Sequence, residues 1–230
     1  MKLAIICCLH GTEPYGLAVA EQFSPKINFF VGNKKALEKS VRFVDVDLNR
    51  CFPGNINGNH EERIAYDLLK KVEDFDFIVD LHSSSNACPL FGLITKPNKA
   101  KIEFARHLGL SKLVIMPGSF ANGKALIDFA KCGISFEIGP HQKKETIDEV
   151  AGHIRHFLEK KPANASMEIF EVFSVVKKQG MQAAIKNFEY VKKGSLIATG
   201  QHAEFDFTAV LVDEDSYDGI LCLACRKKEC

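Results

Sequence analysis

Short runs of apolar and β-branched residues alternate along the chain with segments whose apolar residues recur at helical spacing. Six such runs span residues 3–9, 27–31, 77–81, 90–95, 113–116 and 134–138. Apolar runs of this length predict buried strands, and helical patterns between them are typical of βαβ units. The pattern therefore predicts an α/β fold, with a mostly parallel or mixed sheet that helices flank on both faces.

Two of the intervening segments carry signals for the start of a helix. Asn59 with Glu62, and Thr146 with Glu149, have the three-residue spacing of a capping box. The apolar stripes that follow these two starts are Ile64, Leu68, Leu69 and Val72, and Val150, Ile154, Phe157 and Leu158. We expect each helix to bury its stripe on the sheet.

The pattern of apolar and polar residues changes after the second of these helices. Lys160, Lys161 and Pro162 break the helical period, and short alternating segments separated by glycines follow, one of them over residues 211–213. We therefore predict two domains, an α/β domain over residues 1–162 and a small, all-β C-terminal module over residues 163–230. The module is small enough that we expect it to depend on the first domain for stability.

Composition narrows the range of partners and locations. The 30 Lys and Arg residues against 29 Asp and Glu residues leave a formal charge of +1, so nucleic acid is not an expected partner. Apolar runs fall short of the roughly 18 residues that cross a bilayer, so we expect no membrane association. The eight cysteines stand mostly in or beside apolar stretches. This favours free thiols and a cytoplasmic location.

Polar residues follow two of the predicted strands at their carboxyl ends. The first strand runs into His10-Gly-Thr-Glu13, where Gly11 lets the backbone turn, and another strand ends at His82. Parallel strands present their carboxyl ends at one edge, so we expect these side chains in one crevice. Two histidines and a glutamate are a ligand set of hydrolytic zinc sites. Structural roles stay open: His10 can be held in a loop, and Glu13 can begin the next helix.

A second group of polar residues lies outside these two strand ends. Glu137 stands in an otherwise apolar strand, so it should either be paired or act as an acid/base group. Asn49 and Arg50 have side chains suited to clamping a carboxylate, and the alternative is a surface ion pair with Asp45 or Asp47.

Taken in order, these segments resemble the aspartoacylase and succinylglutamate desuccinylase family, a branch of the zinc carboxypeptidase fold. The motifs that carry the resemblance are His10-Gly-Thr-Glu13, Asp47-Leu-Asn49-Arg50-Cys-Phe52, Asp80-Leu-His82 and Glu137-Ile-Gly-Pro140. The run 80–86 and the late Glu214-Asp-Ser-Tyr217 are more similar to aspartoacylase. Family members end in a β-rich module that overhangs the active site, which agrees with the change from helical spacing to short alternating segments after Pro162.

The resemblance implies a zinc-dependent amidohydrolase that removes the acyl group from an N-acyl amino acid. It implies that His10, Glu13 and His82 bind one Zn²⁺ ion. It also implies that Glu137 is the general base and that Arg42 stabilises the developing oxyanion.

Substrate contacts are implied as well. Asn49 and Arg50 would hold the α-carboxylate of a small-molecule N-acyl amino acid, and Tyr217 would contact the substrate from the β-rich module. The family's aspartoacylases carry an arginine for the substrate's side-chain carboxylate, and that position is Ile127 here. The identity of the acyl group and the amino acid therefore stays open. The two lysines near Ile127 that could substitute for the arginine are Lys124 and Lys131.

Two other functions are compatible with the same residues. One is a zinc carboxypeptidase that acts on short peptides, although a capping module disfavours long substrates. The other is a non-catalytic relative that binds a metal or ligand, although every ligand and the base of the motif set are present. A homo-oligomeric state and the metal loaded in the cell also stay open.

Overall fold

The structure is a computed structural model that describes residues 2–23, 27–118, 123–140, 144–180 and 182–228. The helices are α1 (Tyr15–Glu21), α2 (Lys34–Glu38), α3 (His60–Val72), α4 (Lys99–His107) and α5 (Lys144–Leu158). The first six strands are β1 (Leu3–Cys7), β2 (Asn28–Val31), β3 (Phe77–Ser83), β4 (Cys88–Ile94), β5 (Lys112–Ile115) and β6 (Gly133–Gly139). The remaining strands are β7 (Glu168–Lys177), β8 (Tyr190–Val191), β9 (Leu196–Ala198), β10 (Gln201–His202), β11 (Phe207–Val210) and β12 (Ile220–Lys228).

Ten strands of the described chain form one mixed sheet, in the order β2-β1-β3-β6-β4-β5-β7-β12-β11-β8. β1 runs parallel to β2 and β3, and β3 runs parallel to β6. β4 is antiparallel to β6 and parallel to β5. The predicted α/β fold, with a mostly parallel or mixed sheet flanked by helices, is confirmed.

The first strand explains why helices are needed on both faces of this sheet. Successive side chains of a strand point to opposite faces. Leu3 and Ile5 belong to one apolar cluster, which also contains the buried stripe of α5, while Ala4 and Ile6 belong to another with the stripe of α3. Fully burying a leucine or isoleucine side chain contributes roughly 1.5–3 kcal/mol to stability. The side chains of β1 therefore stabilise the packing of α5 on one face of the sheet and of α3 on the other.

One of the two predicted helix starts is confirmed. The Asn59 side chain accepts a hydrogen bond from the Glu62 N–H at 3.0 Å, and the Asn59 N–H donates to the Glu62 carboxylate at 2.8 Å. The predicted start at Thr146 is wrong, because α5 already begins at Lys144 and Thr146 is buried within the helix. Lysine and glutamate are good helix formers, and Glu145 in the first turn also suits the helix dipole.

Strands after residue 163 extend the sheet of the preceding part. β7 pairs in parallel with β5, and β12 and β11 follow in antiparallel order. The strand predicted over residues 211–213 is wrong. These residues turn after β11, with φ of 52° at Leu211 and 54° at Asp213, which is left-handed backbone that a strand does not accommodate. The division into two domains at residue 162 stays a prediction.

Two expectations from composition can be compared with the described residues. The seven described cysteines carry free thiols, and Cys222 and Cys225 are fully buried. No helix in the described ranges combines the length and the apolar character that crossing a membrane requires.

The capping box of α3 generates a prediction about stability. Asn59→Ala removes the side chain that caps the Glu62 N–H, and we expect the free energy of unfolding to fall by about 1 kcal/mol. Urea denaturation measures this change. Asn57→Ala, at an exposed asparagine of the same loop, serves as the control and should change stability by less than about 0.5 kcal/mol. Equal effects of the two substitutions would contradict the assigned cap.

Candidate active site

Three buried side chains that could hold a metal meet at two neighbouring strand ends. His10 and Glu13 follow β1, and His82 lies in β3, which runs parallel to β1. Each of the three is at most 3% exposed, and one ligand atom from each lies within 4.8 Å of the others. In the part of the chain that the structure describes, this is the one group of His, Cys, Asp and Glu side chains with such geometry.

The loop between the first two of these residues is held tightly in place. The Gly11 N–H donates to the Arg42 carbonyl at 3.1 Å. A Cβ at Gly11 would lie 2.2 Å from the Ala36 carbonyl carbon of α2, and the φ of Gly11 is not positive. The glycine is therefore required because α2 approaches the backbone closely, whereas the sequence suggested a need for a tight turn.

The two histidines share the carboxylate of Glu13. His10 Nδ1 lies 3.0 Å from Glu13 Oε1, and His82 Nδ1 lies 3.1 Å from Glu13 Oε2. The opposite ring nitrogens meet two aspartates: His10 Nε2 is 3.0 Å from Asp47 Oδ1, and His82 Nε2 is 2.8 Å from Asp80 Oδ2. Both Nδ1 atoms are thus the candidate ligands, with a carboxylate behind each ring as in many metal sites.

The charges in this chain of contacts are strongly coupled. Burial alone would raise the pKa of Glu13, but His10 and His82 outweigh it and hold that pKa below its usual range. Burial would lower the pKa of His82, but Asp80 and Glu13 outweigh it, so the pKa lies well above its usual value. Buried carboxylates require nearby positive charge. Protons on the two rings or a divalent cation can provide it.

Glu137 lies beside this group on the next strand. β6 pairs with β3, and Glu137 is the register partner of His82, so the two side chains share one face of the sheet. Burial raises the pKa of Glu137 to about 8, against the opposing charge of His82. The like charge of Glu13 adds to the increase. A carboxyl group with this pKa can exchange protons near neutral pH.

The 3₁₀ turn Leu48–Arg50 and the loop before it bring an amide and a guanidinium group close to the candidate metal ligands. The Arg42 guanidinium lies 3.1 Å from Asp47 and 3.9 Å from Glu13. Asn49 Nδ2 is 3.4 Å from His82 Nε2, and the Asn49 Oδ1 accepts the Leu126 N–H at 3.0 Å. The ion pair of this loop is therefore made by Arg42 with Asp47.

All eight residues identified from the sequence line one cavity of about 50 Å³. They are His10, Glu13, Arg42, Asn49, Arg50, His82, Glu137 and Tyr217. Their roles as ligands, base and substrate contacts stay predictions. Lys124 and Lys131 are not among the described residues that line the cavity, and Ile127 is buried in an apolar cluster.

Sequence reasoning gave no role in the site to Asp47 or Glu214, although both stand inside the motifs. Asp47 contacts His10 as described above. Glu214 lines the cavity and accepts hydrogen bonds from the Ser85 N–H at 2.8 Å and the Ser85 hydroxyl at 2.7 Å. These bonds attach the turn that carries Tyr217 to the loop between β3 and β4.

The chain is similar in sequence to proteins of a known family. Residues 1–160 match the family model described as the succinylglutamate desuccinylase/aspartoacylase catalytic domain. The chain belongs to this family. A probable aspartoacylase from Acaryochloris marina is 26% identical over 126 residues, which cover 46% of this chain and 43% of that protein. An N-acyl-aromatic-L-amino acid amidohydrolase (carboxylate-forming) from Xenopus laevis is 22% identical over 205 residues, covering 75% and 65%. The matches to the Acaryochloris marina protein and to two other probable aspartoacylases span about half of those proteins' length, at 43% to 54%.

Solved structures share the fold of this family member. Murine aminoacylase 3 has a TM-score of 0.79 at 17% identity, with 99% of this chain and 95% of that chain covered. A succinylglutamate desuccinylase/aspartoacylase from Rhodobacter sphaeroides has a TM-score of 0.78 at 14% identity, with 100% and 86% covered. The architecture around the site is thus shared across nearly the whole chain.

The raised pKa of Glu137 predicts a pH dependence of stability in the metal-free protein. The pKa is about 8 when folded against an ordinary value of 4.5, so burial favours the protonated form. Its stabilising contribution is full below about pH 4.5 and is lost as the pH rises towards 8, by at most about 1.4 kcal/mol per pH unit.

Glu137→Gln, which cannot ionise, should therefore lose less stability than the wild type between pH 5 and 8. Urea denaturation with a chelator present measures the difference at each pH. Glu73→Gln, at an exposed glutamate, is the control and should follow the wild type. Parallel pH profiles for wild type and Glu137→Gln would contradict the assignment.

Proposed function

We propose that this chain is a zinc-dependent hydrolase that cleaves the amide bond of an N-acyl amino acid. The observation that carries the proposal is the convergence of His10, Glu13 and His82 in one cavity with Glu137 and Arg42. Membership of the succinylglutamate desuccinylase/aspartoacylase family supports it. The names of the relatives from Acaryochloris marina and Xenopus laevis point to the same class of substrate.

The donor set fits a zinc ion. Imidazole nitrogen and carboxylate oxygen are ligands that zinc prefers, and three protein ligands are typical of its catalytic sites. Asp47 and Asp80 lie against the far ring nitrogens of His10 and His82, which fixes the rings with Nδ1 towards Glu13. When bound, a zinc ion supplies a Lewis acid that polarises a carbonyl and lowers the pKa of water to roughly 7.

Proton transfer falls to Glu137 in this proposal. Its carboxylate takes a proton from the attacking water and later returns it to the nitrogen of the leaving amine. Burial raises the pKa of Glu137 above its usual value, and the charge of a bound zinc ion would act against that increase, so the group can exchange protons in both directions near neutral pH. The Arg42 guanidinium lines the same cavity and donates to the carbonyl oxygen as negative charge develops there.

Recognition of the substrate falls to other residues that line the same cavity. Arg50 offers a forked donor for the α-carboxylate, and Asn49 adds an amide beside it. Tyr217 and Leu211 come from the turn after β11 and close the cavity over the substrate. Because this turn lines the cavity beside the candidate metal ligands, it supports a small substrate more than a long peptide, which disfavours the carboxypeptidase alternative.

A hydrolysis screen tests this function. The purified protein is assayed against acetyl, succinyl and longer acyl derivatives of several amino acids, and against short peptides, with zinc or with a chelator. We expect hydrolysis of acyl amino acids that the chelator abolishes and added Zn²⁺ restores. Glu137→Gln should keep its zinc and lose activity by about 10²- to 10⁴-fold, while Glu73→Gln retains the parental rate.

Several outcomes of the screen would overturn the proposal. Parental activity in Glu137→Gln would exclude this residue as the base. Cleavage of peptides alone would favour the carboxypeptidase, and full zinc occupancy without any turnover would favour a binding protein.

A further inference from the structure

Glu61 is a buried carboxylate that the proposed reaction does not use. It is the second residue of α3 and is 0% exposed. Its Oε1 accepts hydrogen bonds from the Asn33 side-chain amide at 2.8 Å and from the Val44 N–H at 2.7 Å. Its Oε2 accepts the N–H groups of Asp45 at 3.0 Å and Val46 at 3.3 Å. One side chain therefore fixes three consecutive peptide groups of the loop.

The electrostatics of Glu61 agree with an ionised carboxylate. Burial alone would raise the pKa of Glu61, but the backbone N–H of Val44 and the other donors outweigh it and lower the pKa. A buried carboxylate that accepts several N–H bonds is stabilised in its charged form. The loop and the carboxylate are thus bound to each other by charge-assisted hydrogen bonds, which are about twice as strong as neutral ones.

In the sequence, residues 44–46, whose N–H groups bind Glu61, lie between two residues that contact the candidate metal ligands. Arg42 precedes them and Asp47 follows them. Asp47 lies 3.0 Å from His10 Nε2, and the Arg42 guanidinium lies 3.9 Å from Glu13. The Arg42 carbonyl also accepts the N–H of Gly11, between the two ligands. A displacement of the loop would therefore alter the surroundings of His10 and Glu13.

A purely local role at the start of α3 does not account for these contacts. An acidic residue suits any helix N-terminus, but the capping of α3 is already provided by Asn59 with Glu62. Three of the four hydrogen bonds to Glu61 come from the loop. The side chain is directed to the loop that flanks the site.

We infer that Glu61 is a positioning residue for the metal site: it holds residues 44–46 so that Asp47 and Arg42 stay against His10 and Glu13. The inference rests on the proposed function, in which His10 and Glu13 bind zinc. Groups that orient a metal ligand commonly change metal affinity by about 10- to 100-fold when removed.

Glu61→Gln tests the inference with little change in shape. In either orientation of the amide, its NH₂ group faces two of the four donors. We expect the affinity for Zn²⁺, measured by competition with a chromophoric chelator, to fall by about tenfold or more. The value of kcat/KM for the zinc-loaded enzyme should fall as well. Unchanged zinc affinity in a folded Glu61→Gln protein would overturn the inference.

Glu62→Gln is the matched control. Glu62 is the neighbouring residue of the same helix, and its side chain accepts the Asn59 N–H at the helix start rather than a bond from residues 44–46. The control should lose some stability and keep the zinc affinity of the wild type. An equal loss of zinc affinity in both variants would show that a loosened helix start is sufficient, and would also overturn the inference.

A double-mutant cycle identifies the route of the effect. If Glu61 acts through Asp47, the affinity loss in Glu61→Gln with Asp47→Asn should be smaller than the product of the two single losses. Multiplicative losses would contradict a route through Asp47.

Asp45→Ala keeps the inference testable if Glu61→Gln fails to fold. It removes a second hydrogen bond between this loop and α3, which the His60 N–H donates to the Asp45 carboxylate at 3.0 Å and which is more exposed than the bonds to Glu61. A smaller loss of zinc affinity is expected, and none would overturn the inference. A wild type that binds no zinc would overturn the proposed function together with this role, whereas zinc binding that is insensitive to Glu61→Gln overturns this role alone.

Discussion

Glu13 and Asp80 are carboxylates that are 2% and 0% exposed, and each is in contact with an imidazole that is equally buried. An uncompensated buried charge costs several kcal/mol, so no member of this group can be removed without destabilising the others. The positive charge that the carboxylates require must come from protons on the rings or from a cation. The fold around the site keeps these opposing charges in contact with each other.

The sheet is the first element that keeps these side chains together. β1, β3 and β6 are parallel neighbours, so the residues at their carboxyl ends meet at one edge without long side chains having to reach across. The second element consists of segments far away in sequence. The turn after β11 lines the cavity and is attached to the loop that follows β3 through Glu214 and Ser85. The loop that precedes Asp47 contributes Arg42 to the lining of the cavity and is held by Glu61.

Much of this could be predicted from the sequence because its signals are local. Apolar runs predicted the first six strands, and Asn59 with Glu62 predicted the start of α3. The motifs and the family resemblance identified eight of the residues that line the cavity. What could not be predicted depends on tertiary contacts. The requirement for Gly11 comes from the close approach of α2, and the contact of Asp47 with His10 joins residues 37 positions apart. Left-handed backbone at Leu211 likewise gave no sequence signal, since leucine rarely adopts it.

In the proposed metal site, His10, Glu13 and His82 hold one metal ion through the two Nδ1 atoms and the shared carboxylate. Anomalous X-ray diffraction at the zinc absorption edge, from crystals grown with Zn²⁺, tests it most directly. We expect a single strong peak within bonding distance of both Nδ1 atoms and the Glu13 carboxylate. A peak on the Nε2 side of either ring, beside Asp47 or Asp80, or no peak at these residues, would contradict it.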